Sequence, residues 1–357
     1  MSGSPSAAHQ GVSGNPLLST IKRLTAGEAP DPAELTAAFD VVFAGDATPV
    51  QIAALIVGLR VKGETSLELA AVVRSLRQAM IVLPADRPEE LVDTCGTGGG
   101  TINTFNISTA AALLVAGIGL RVAKHGNRSF TTQCGSADVL EALGVAIDAP
   151  VNVMEASLRD AGIVFMFAPL MHPAMRHVGP VRRELGVQTV MNMVGPLANP
   201  AHAGRQVVGV SDSRRLALMA GAMRELDTIH TLVVHGAGMD EISPFGETQV
   251  VEIRDGLTTE WTIDPSRYGF GRGTAADLAG GSPTENAATV VRVLRGEANE
   301  AATAAVILNG AAALYVGGAC PTFDLGVAAA TEAIRAGAGL VALEKLRAAF
   351  TKPDVSS

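Results

Sequence analysis

The stretch "DTCGTGGGTINTFNISTAAALLVAGIGL", Asp93 to Leu120, sets four glycines among positions 96 to 100 and then opens an apolar run. Glycine at that density costs conformational entropy on folding. It is placed where backbone must come very close to something or take a turn that other residues avoid. Asn106, Ser108 and Thr109 follow at once, where a helix N-cap is expected.

Three readings compete for "CGTGGGTINTFNIST". A dinucleotide-binding fingerprint needs G-x-G-x-x-G, and the sixth position from Gly96 is Thr101, so it fails. A phosphate loop of the type G-x-x-x-x-G-K-[ST] needs a lysine, and the stretch has none. The third is a glycine-cradled anion site at a helix start, where free N–H groups and the positive end of the helix dipole converge. Asn106, Ser108 and Thr109 would add side-chain donors. The plain alternative is a tight strand-to-helix turn with ordinary capping.

Outward from this stretch the chain has two grammars. Upstream, "PLLSTIKRLTAG", "DPAELTAAFDVVFAG", "TPVQIAALIVGLRVKG" and "SLELAAVVRSLRQAM" each read as a helix. Caps such as Asp31 and Thr48 precede proline, and Gly27, Gly45 and Gly63 close three of the four. Downstream of Glu90, short apolar strands alternate with helices: "LVDTC", "RVAKHG", "VFMFAP", "RQVVGVS" and "TIHTLVVHG". An antiparallel pair is expected in "TQVVEIRDGLTTEWTI". Such alternation predicts an α/β fold, a mainly parallel central sheet covered by helices beside a smaller all-helical domain. The expected organisation is a polar tail over 1–15 and a helical domain over 16–84, joined by the helical segment 172–195. Residues 91–171 and 196–350 form the α/β domain.

The chain of 357 residues is 48% hydrophobic with 4% aromatics, as suits a tightly packed enzyme. A net charge of -8 argues against a nucleic-acid binder. Three widely spaced cysteines give neither a disulfide framework nor a zinc spacing, which points to a reducing cytoplasm. Apolar runs such as "AAALLVAGIGL" fall well short of the ~20 residues that span a bilayer, so no membrane partner is expected.

Lys124 and Arg128, in "KHGNRSFTTQCGSADVL", flank His125, Gly126 and Asn127 at the carboxyl end of a strand, where open α/β sheets place ligands. Thr131, Thr132 and Ser136 continue the supply of donors. One helix away from the glycine loop, the pair reads as the adjacent wall of one crevice; alone it would be a solvated surface feature. Asp240 and Glu241, in "VVHGAGMDEIS", stand side by side past an apolar strand. They suit a hard cation that shares its shell with phosphate oxygens, or else are two acids on an exposed loop. In "MHPAMRHVGPVRRELG", helical spacing separates Arg182 from Arg176, Arg183 and His172. A guanidinium there could pair with a small carboxylate. "MNMVGPLANPA" reads as a rigid apolar turn able to wall a flat ring, with Met191 and Met193 as core.

In this order and spacing, "GTGG", "TFNIST", "KHGNR", "GSAD", "HPAM", "GPLANP" and "HGAGMDEIS" closely resemble the anthranilate phosphoribosyltransferase family of tryptophan biosynthesis. The resemblance runs from about Leu17 to Phe350. A more distant likeness, in architecture, is to pyrimidine nucleoside phosphorylases. The resemblance implies transfer of the phosphoribosyl group from phosphoribosyl pyrophosphate to the amine of anthranilate, with release of pyrophosphate. It implies a donor cradle of Gly96, Gly99, Gly100, Thr104, Asn106, Ile107, Ser108 and Thr109. The cradle continues through Lys124, His125, Gly126, Asn127, Arg128, Ser129, Thr131, Thr132 and Ser136, with Lys124 and Arg128 supplying charge. Ser108, Asp240 and Glu241 would hold Mg2+, and Gly96, Asn127 and Arg182 would meet anthranilate. A homodimer through the helical domain is also implied. One departure stands out: the family's G-T-G-G-D-G has Gly100 and Thr101 in its last two places here, so an acid near the metal is missing.

Overall fold

The computed structural model describes residues 14–129 and 133–350. The N-terminal helices start from caps written in the sequence. Asn15 caps α1 (Pro16–Thr25), and Asp31 with Glu34 makes a reciprocal box on α2 (Pro32–Ala44). Thr48 with Gln51 does the same for α3 (Pro49–Lys62), and Thr65 with Glu68 for α4 (Ser66–Gln78). Gly45 ends α2 in the left-handed region that favours glycine. The buried faces of these helices, Leu17, Leu35, Phe39, Ile52, Leu55 and Leu69 among them, form one core.

The larger part is a seven-stranded sheet in the order β3-β2-β1-β4-β5-β6-β7. The strands are β1 (Val92–Gly96), β2 (Val122–Gly126), β3 (Ile163–Phe167), β4 (Arg205–Gly209), β5 (His230–Gly236), β6 (Thr248–Arg254) and β7 (Leu257–Ile263). The first five are parallel; β6 and β7 run antiparallel, as the pattern of their sequence predicts. From β1 the chain passes through α5 (Ile107–Ala116) to β2, then through α6 (Ser136–Ala142) and α7 (Val151–Ala161) to β3. It returns through α8 (Ala168–Met171), α9 (Met175–Leu185) and α10 (Val194–Leu197) to lay β4 beside β1. From β4, α11 (Leu216–Glu225) leads the other way to β5. The strand order therefore reverses between β1 and β4, and a crevice opens outside their carboxyl ends.

One sheet face packs against the bundle: Val208, Val210, Val233 and α11 share the core of α1–α4, and Val178 and Val181 of α9 join it. The other face is covered by α5 with α12 (Pro283–Leu294), α13 (Glu300–Val316), α14 (Phe323–Arg335) and α15 (Ala338–Phe350). Among the described residues no single helix is long and apolar enough to cross a membrane; α14 and α15 meet at a 71° bend. Among the described residues Cys95, Cys134 and Cys320 form no disulfide.

Two buried carboxylates pin the sheet. Asp93 accepts from the His125 N–H at 3.1 Å and from Asn199 Nδ2 at 2.8 Å. Asn199 also donates to Ala123 O, so β1, β2 and the turn before β4 share one polar knot. Glu252 accepts from His230 Nε2 (2.7 Å), Tyr315 OH (2.8 Å) and Trp261 Nε1 (2.9 Å), joining β5, β6, β7 and α13. Burial pushes its pKa upward, but the bonds from His230, Tyr315 and Trp261 outweigh that and hold it below the usual range. A depressed folded-state pKa stabilises above the unfolded value, and the benefit is lost as pH falls through the folded value. Glu252→Gln should therefore lower stability at pH 7 by about 1–3 kcal/mol. In denaturant titrations that deficit should shrink as pH drops below ~4; a deficit constant down to the acid range would assign it to packing instead.

Candidate functional site

Much of the glycine density serves a neighbouring loop. A Cβ at Gly96 would stand 2.3 Å from Asp240 Oδ2, and one at Gly209, on the adjacent strand, 1.7 Å from Asp240 O. Bare backbone on β1 and β4 thus lets the Asp240 loop settle into the switch point. Gly98 and Gly99 have φ of +68° and +76°, a conformation that other residues rarely hold. The Gly98 N–H donates to Asp240 Oδ2 at 2.7 Å. Thr97 fastens the loop to β4, its N–H donating to Gly209 O and its Oγ1 accepting from the Ser211 N–H.

The helix start next to it lacks a local cap. Asn106 occupies the N-cap position of α5 but makes no side-chain cap bond to it. The Ser108 N–H donates to Glu241 Oε1 at 3.1 Å. Lys124 is buried and donates to Thr94 O at 2.6 Å and Ser108 Oγ at 3.4 Å. Burial lowers its pKa, opposed by the charges of Asp93, Cys95 and Glu241. Burial, then the Asp240 charge, pushes Glu241 up to about 8; burial also raises Asp240. Two carboxylates held together at half-buried positions, with Lys124 as a nearby opposing charge, make with the Ser108 hydroxyl a set of hard oxygen donors. That chemistry fits a hard divalent cation. Among the described residues no group of three or more His, Cys, Asp or Glu could hold a metal, so such an ion would complete its shell from its ligand.

The carboxyl end of β2 supplies the next wall. A Cβ at Gly126 would lie 2.1 Å from Ser136 Oγ, and the Asn127 N–H donates to that oxygen at 3.2 Å. The α6 start is thereby drawn against the strand end. Arg128 faces the cleft but is committed to Asp138 (2.6 Å) and Glu141 (2.5 Å) and lies over the Phe167 ring. Those partners, Glu141 first, raise its pKa. Its charge in the cleft is therefore largely neutralised.

These elements enclose a cleft of about 930 Å³. Of the residues assigned to the site from the sequence, Gly96, Gly99, Gly100, Thr104, Asn106, Ser108, Lys124, His125, Gly126, Asn127, Arg128, Ser129, Ser136, Arg182, Asp240 and Glu241 line it. Ile107 and Thr109 do not line it; both are buried in α5, and the Ile107 N–H is taken by Phe105 O. Thr131 and Thr132 lie outside the described residues. Arg182 is half-buried on α9, with its pKa lowered by burial. Arg183 also reaches the cleft despite its helical offset, whereas Arg176 is exposed beside His177. Met191 is core, as expected; Met193 is buried too, but it touches the cleft. His172 is buried with its ring 4.9 Å from that of His125. Burial carries His172 to about 4 and His125 well below its ordinary value, the latter helped by His172, so both are neutral at pH 7.

Sequence reasoning missed part of the wall. Gln188, Thr189 and Asn192, after α9, line the cleft, as do Ser211, Asp212 and Arg215 after β4. The second group had a signal: it follows a strand's carboxyl end, as the glycine loop does. The first had none, since only the return from β3 to β4 carries it past the glycine loop.

A family model described as glycosyl transferase family, a/b domain, matches residues 88–340, and one for the helical bundle domain matches 18–80. The chain is similar to the anthranilate phosphoribosyltransferase of Caulobacter vibrioides, 45% identical over 92% of this chain and 96% of that protein. It is equally similar to that of Haloarcula marismortui, 45% over 91% and 98%. Among solved structures it resembles anthranilate phosphoribosyltransferase from Thermus thermophilus, with a TM-score of 0.87 and 41% identity over 93% of this chain and 99% of that one. The Saccharomyces cerevisiae enzyme in complex with PRPP and Mg gives a TM-score of 0.85 at 26% identity, over 95% and 98%. Identity of this extent over nearly whole chains, on the same bundle and sheet, means that the chain belongs to the anthranilate phosphoribosyltransferase family.

Proposed function

We infer that the cleft is where this family member transfers the phosphoribosyl group of phosphoribosyl pyrophosphate to the amine of anthranilate, releasing pyrophosphate. One observation carries the assignment. The Asp240–Glu241 pair is held against the start of α5, where Glu241 takes the Ser108 N–H, and beside Lys124, at the switch point of the sheet. Acids, a lysine and a helix N-terminus converging there suit a polyphosphate and its cation better than a neutral ligand.

Ser108, Asp240 and Glu241 would hold Mg2+, which supplies positive charge against the departing pyrophosphate. The cradle proposed for the donor is the expected lining named above, less Arg182 and the two acids. Thr131 and Thr132 are proposed with it from the sequence, while Ile107 and Thr109 would act through the helix they build. As the bond from C1 to pyrophosphate breaks, the sugar takes on oxocarbenium character and negative charge grows on phosphate oxygens. The Thr109 amide of α5 and Lys124 are fixed in place before that charge appears, so they need no reorganisation to meet it. Arg182 would pair with the anthranilate carboxylate, with Asn127 and Gly96 beside it, setting the amine against C1. An aromatic amine is an adequate nucleophile once placed, and the neutral, buried His125 is assigned an orienting duty.

The domain division we propose keeps 16–84 with 172–195 as the helical part and 91–171 with 196–350 as the α/β part. In its support, Val178, Val181 and Val190 share the core of α1–α4. A homodimer through the bundle would cover Val50 and Val61 of α3, which are 78% and 82% exposed. Cysteines outside any disulfide suit a cytoplasmic setting.

Asp240→Asn combined with Glu241→Gln should cut magnesium-dependent turnover by roughly a hundredfold or more while the chain stays folded; unchanged turnover would remove the metal assignment. Arg182→Ala should raise KM for anthranilate by about tenfold or more and leave the donor KM nearly unchanged. Equal rises in both would move this arginine out of the acceptor site. At Gly100 a Cβ would come within 3.2 Å of Gly238 O, tight but tolerable with a small shift. Gly100→Asp should therefore fold and change the magnesium concentration dependence of turnover; a superimposable titration would show that the missing acid has no bearing on the metal.

A further inference from the structure

Asparagine at an N-cap ordinarily turns its side-chain oxygen onto the N2 or N3 amide of its own helix. Asn106 does not. Its Oδ1 accepts from Asn286 Nδ2 at 3.0 Å and from Cys134 Sγ at 3.3 Å, and its Nδ2 donates to Cys134 O at 3.4 Å. The N2 amide, Ser108, goes to Glu241, and among the described residues no side chain caps the N3 amide of Thr109. The Thr109 amide is open because the natural cap is held elsewhere.

Asn286 is built for that hold. It lies in the first turn and a half of α12, is 2% exposed, and accepts from the Gly281 N–H at 2.8 Å through Oδ1. With its oxygen committed, its amide nitrogen is presented to Asn106. The segment that brings it there is braced on the loop before α5. The Phe105 N–H donates to Leu278 O, the Gly280 N–H donates to Asn103 O, and Thr104 bridges Ala279. A Cβ at Gly280 would lie 2.4 Å from Thr104 O, so the two backbones are in direct contact.

We propose that Asn286 is a positioning residue for the donor site: it holds Asn106 off its own helix and so keeps the Thr109 amide of α5 free for the anion of the phosphoribosyl donor. The inference rests on the function proposed above. Asn286 does not line the cleft and acts only through Asn106, which does. Without its hydrogen bond the Asn106 oxygen is free to swing onto the Thr109 amide, in competition with the substrate for the same donor.

The test crosses Asn286→Asp and Asn286→Ala with Asn106→Ala and measures steady-state kinetics with each substrate varied, alongside thermal unfolding. The aspartate keeps an acceptor for the Gly281 N–H but offers Asn106 Oδ1 no proton. Asn286→Asp should therefore unfold close to the parent, while its KM for phosphoribosyl pyrophosphate rises by about tenfold. KM for anthranilate should stay within roughly twofold of the parent, since nothing in the acceptor wall has moved. In the Asn106→Ala background neither Asn286 substitution should raise the donor KM further, because the group it positions is gone. The proposal is overturned if Asn286→Asp keeps the parent donor KM, if both KM values rise alike, or if the effects of the two sites simply add. A parent enzyme that does not consume anthranilate with the donor would instead sink the proposed function, and this inference with it.

Discussion

The structure turns on one electrostatic problem: two adjacent carboxylates, Asp240 and Glu241, brought into the switch point of a parallel sheet. Among the described residues the Gly98 N–H meets the first, and the Ser108 N–H at the start of α5 meets the second, beside the Ser108 side chain. That is too little to satisfy two charges, and both acids are raised in pKa by burial. The surroundings are arranged to permit the approach rather than to neutralise it. Glycines at 96 and 209 clear the space, and Lys124 stands close by but is itself partly spent on a carbonyl. A site left short of positive charge at a helix N-terminus is prepared for a ligand that carries both signs, an anion with its cation.

Local signals were legible in the sequence and long-range ones were not. The capping boxes at Asp31, Thr48 and Thr65 and the apolar strands follow from residues a few positions apart, so helices, sheet and antiparallel pair could be read directly. The cleft residues after β1 and β2 could be read too, because position at a strand's carboxyl end is a local property. The glycine loop was only half understood. Its bareness looked like room for a ligand, and part of it is room for Asp240, more than a hundred residues further on. Asn106 looked like a cap and is not one, for a reason lodged in Asn286. No pattern within the loop carries that information. Thr109 shows the opposite limit: a hydroxyl at a helix start suggests a donor, but the helical turn points this one into the core.

The two sides of the cleft are rooted in different cores. Phe105, Ile107, Ala137 and Val139, which carry the glycine-loop exit and the starts of α5 and α6, pack into the core on the α13 side of the sheet. Ala174, Val178, Val190 and Met193, which carry Arg182 and the segment after it, pack with the helical bundle. Close-packed cores move as units, because their interiors deform little. A shift of the bundle against the sheet would therefore displace the Arg182 wall while the α5 amides stayed in place. The reaction needs amine and sugar carbon at a near-attack distance, and an error of about 1 Å there is costly. Precision across the cleft thus depends on how the bundle is fastened to its neighbours on the sheet: from α4, Ser66 Oγ donates to Leu218 O of α11 and Arg77 donates to Leu197 O of α10. Gly221 permits that contact, since a Cβ there would stand 2.3 Å from Ser66 Oγ. Residues with no view of the cleft in this way set the distance across it.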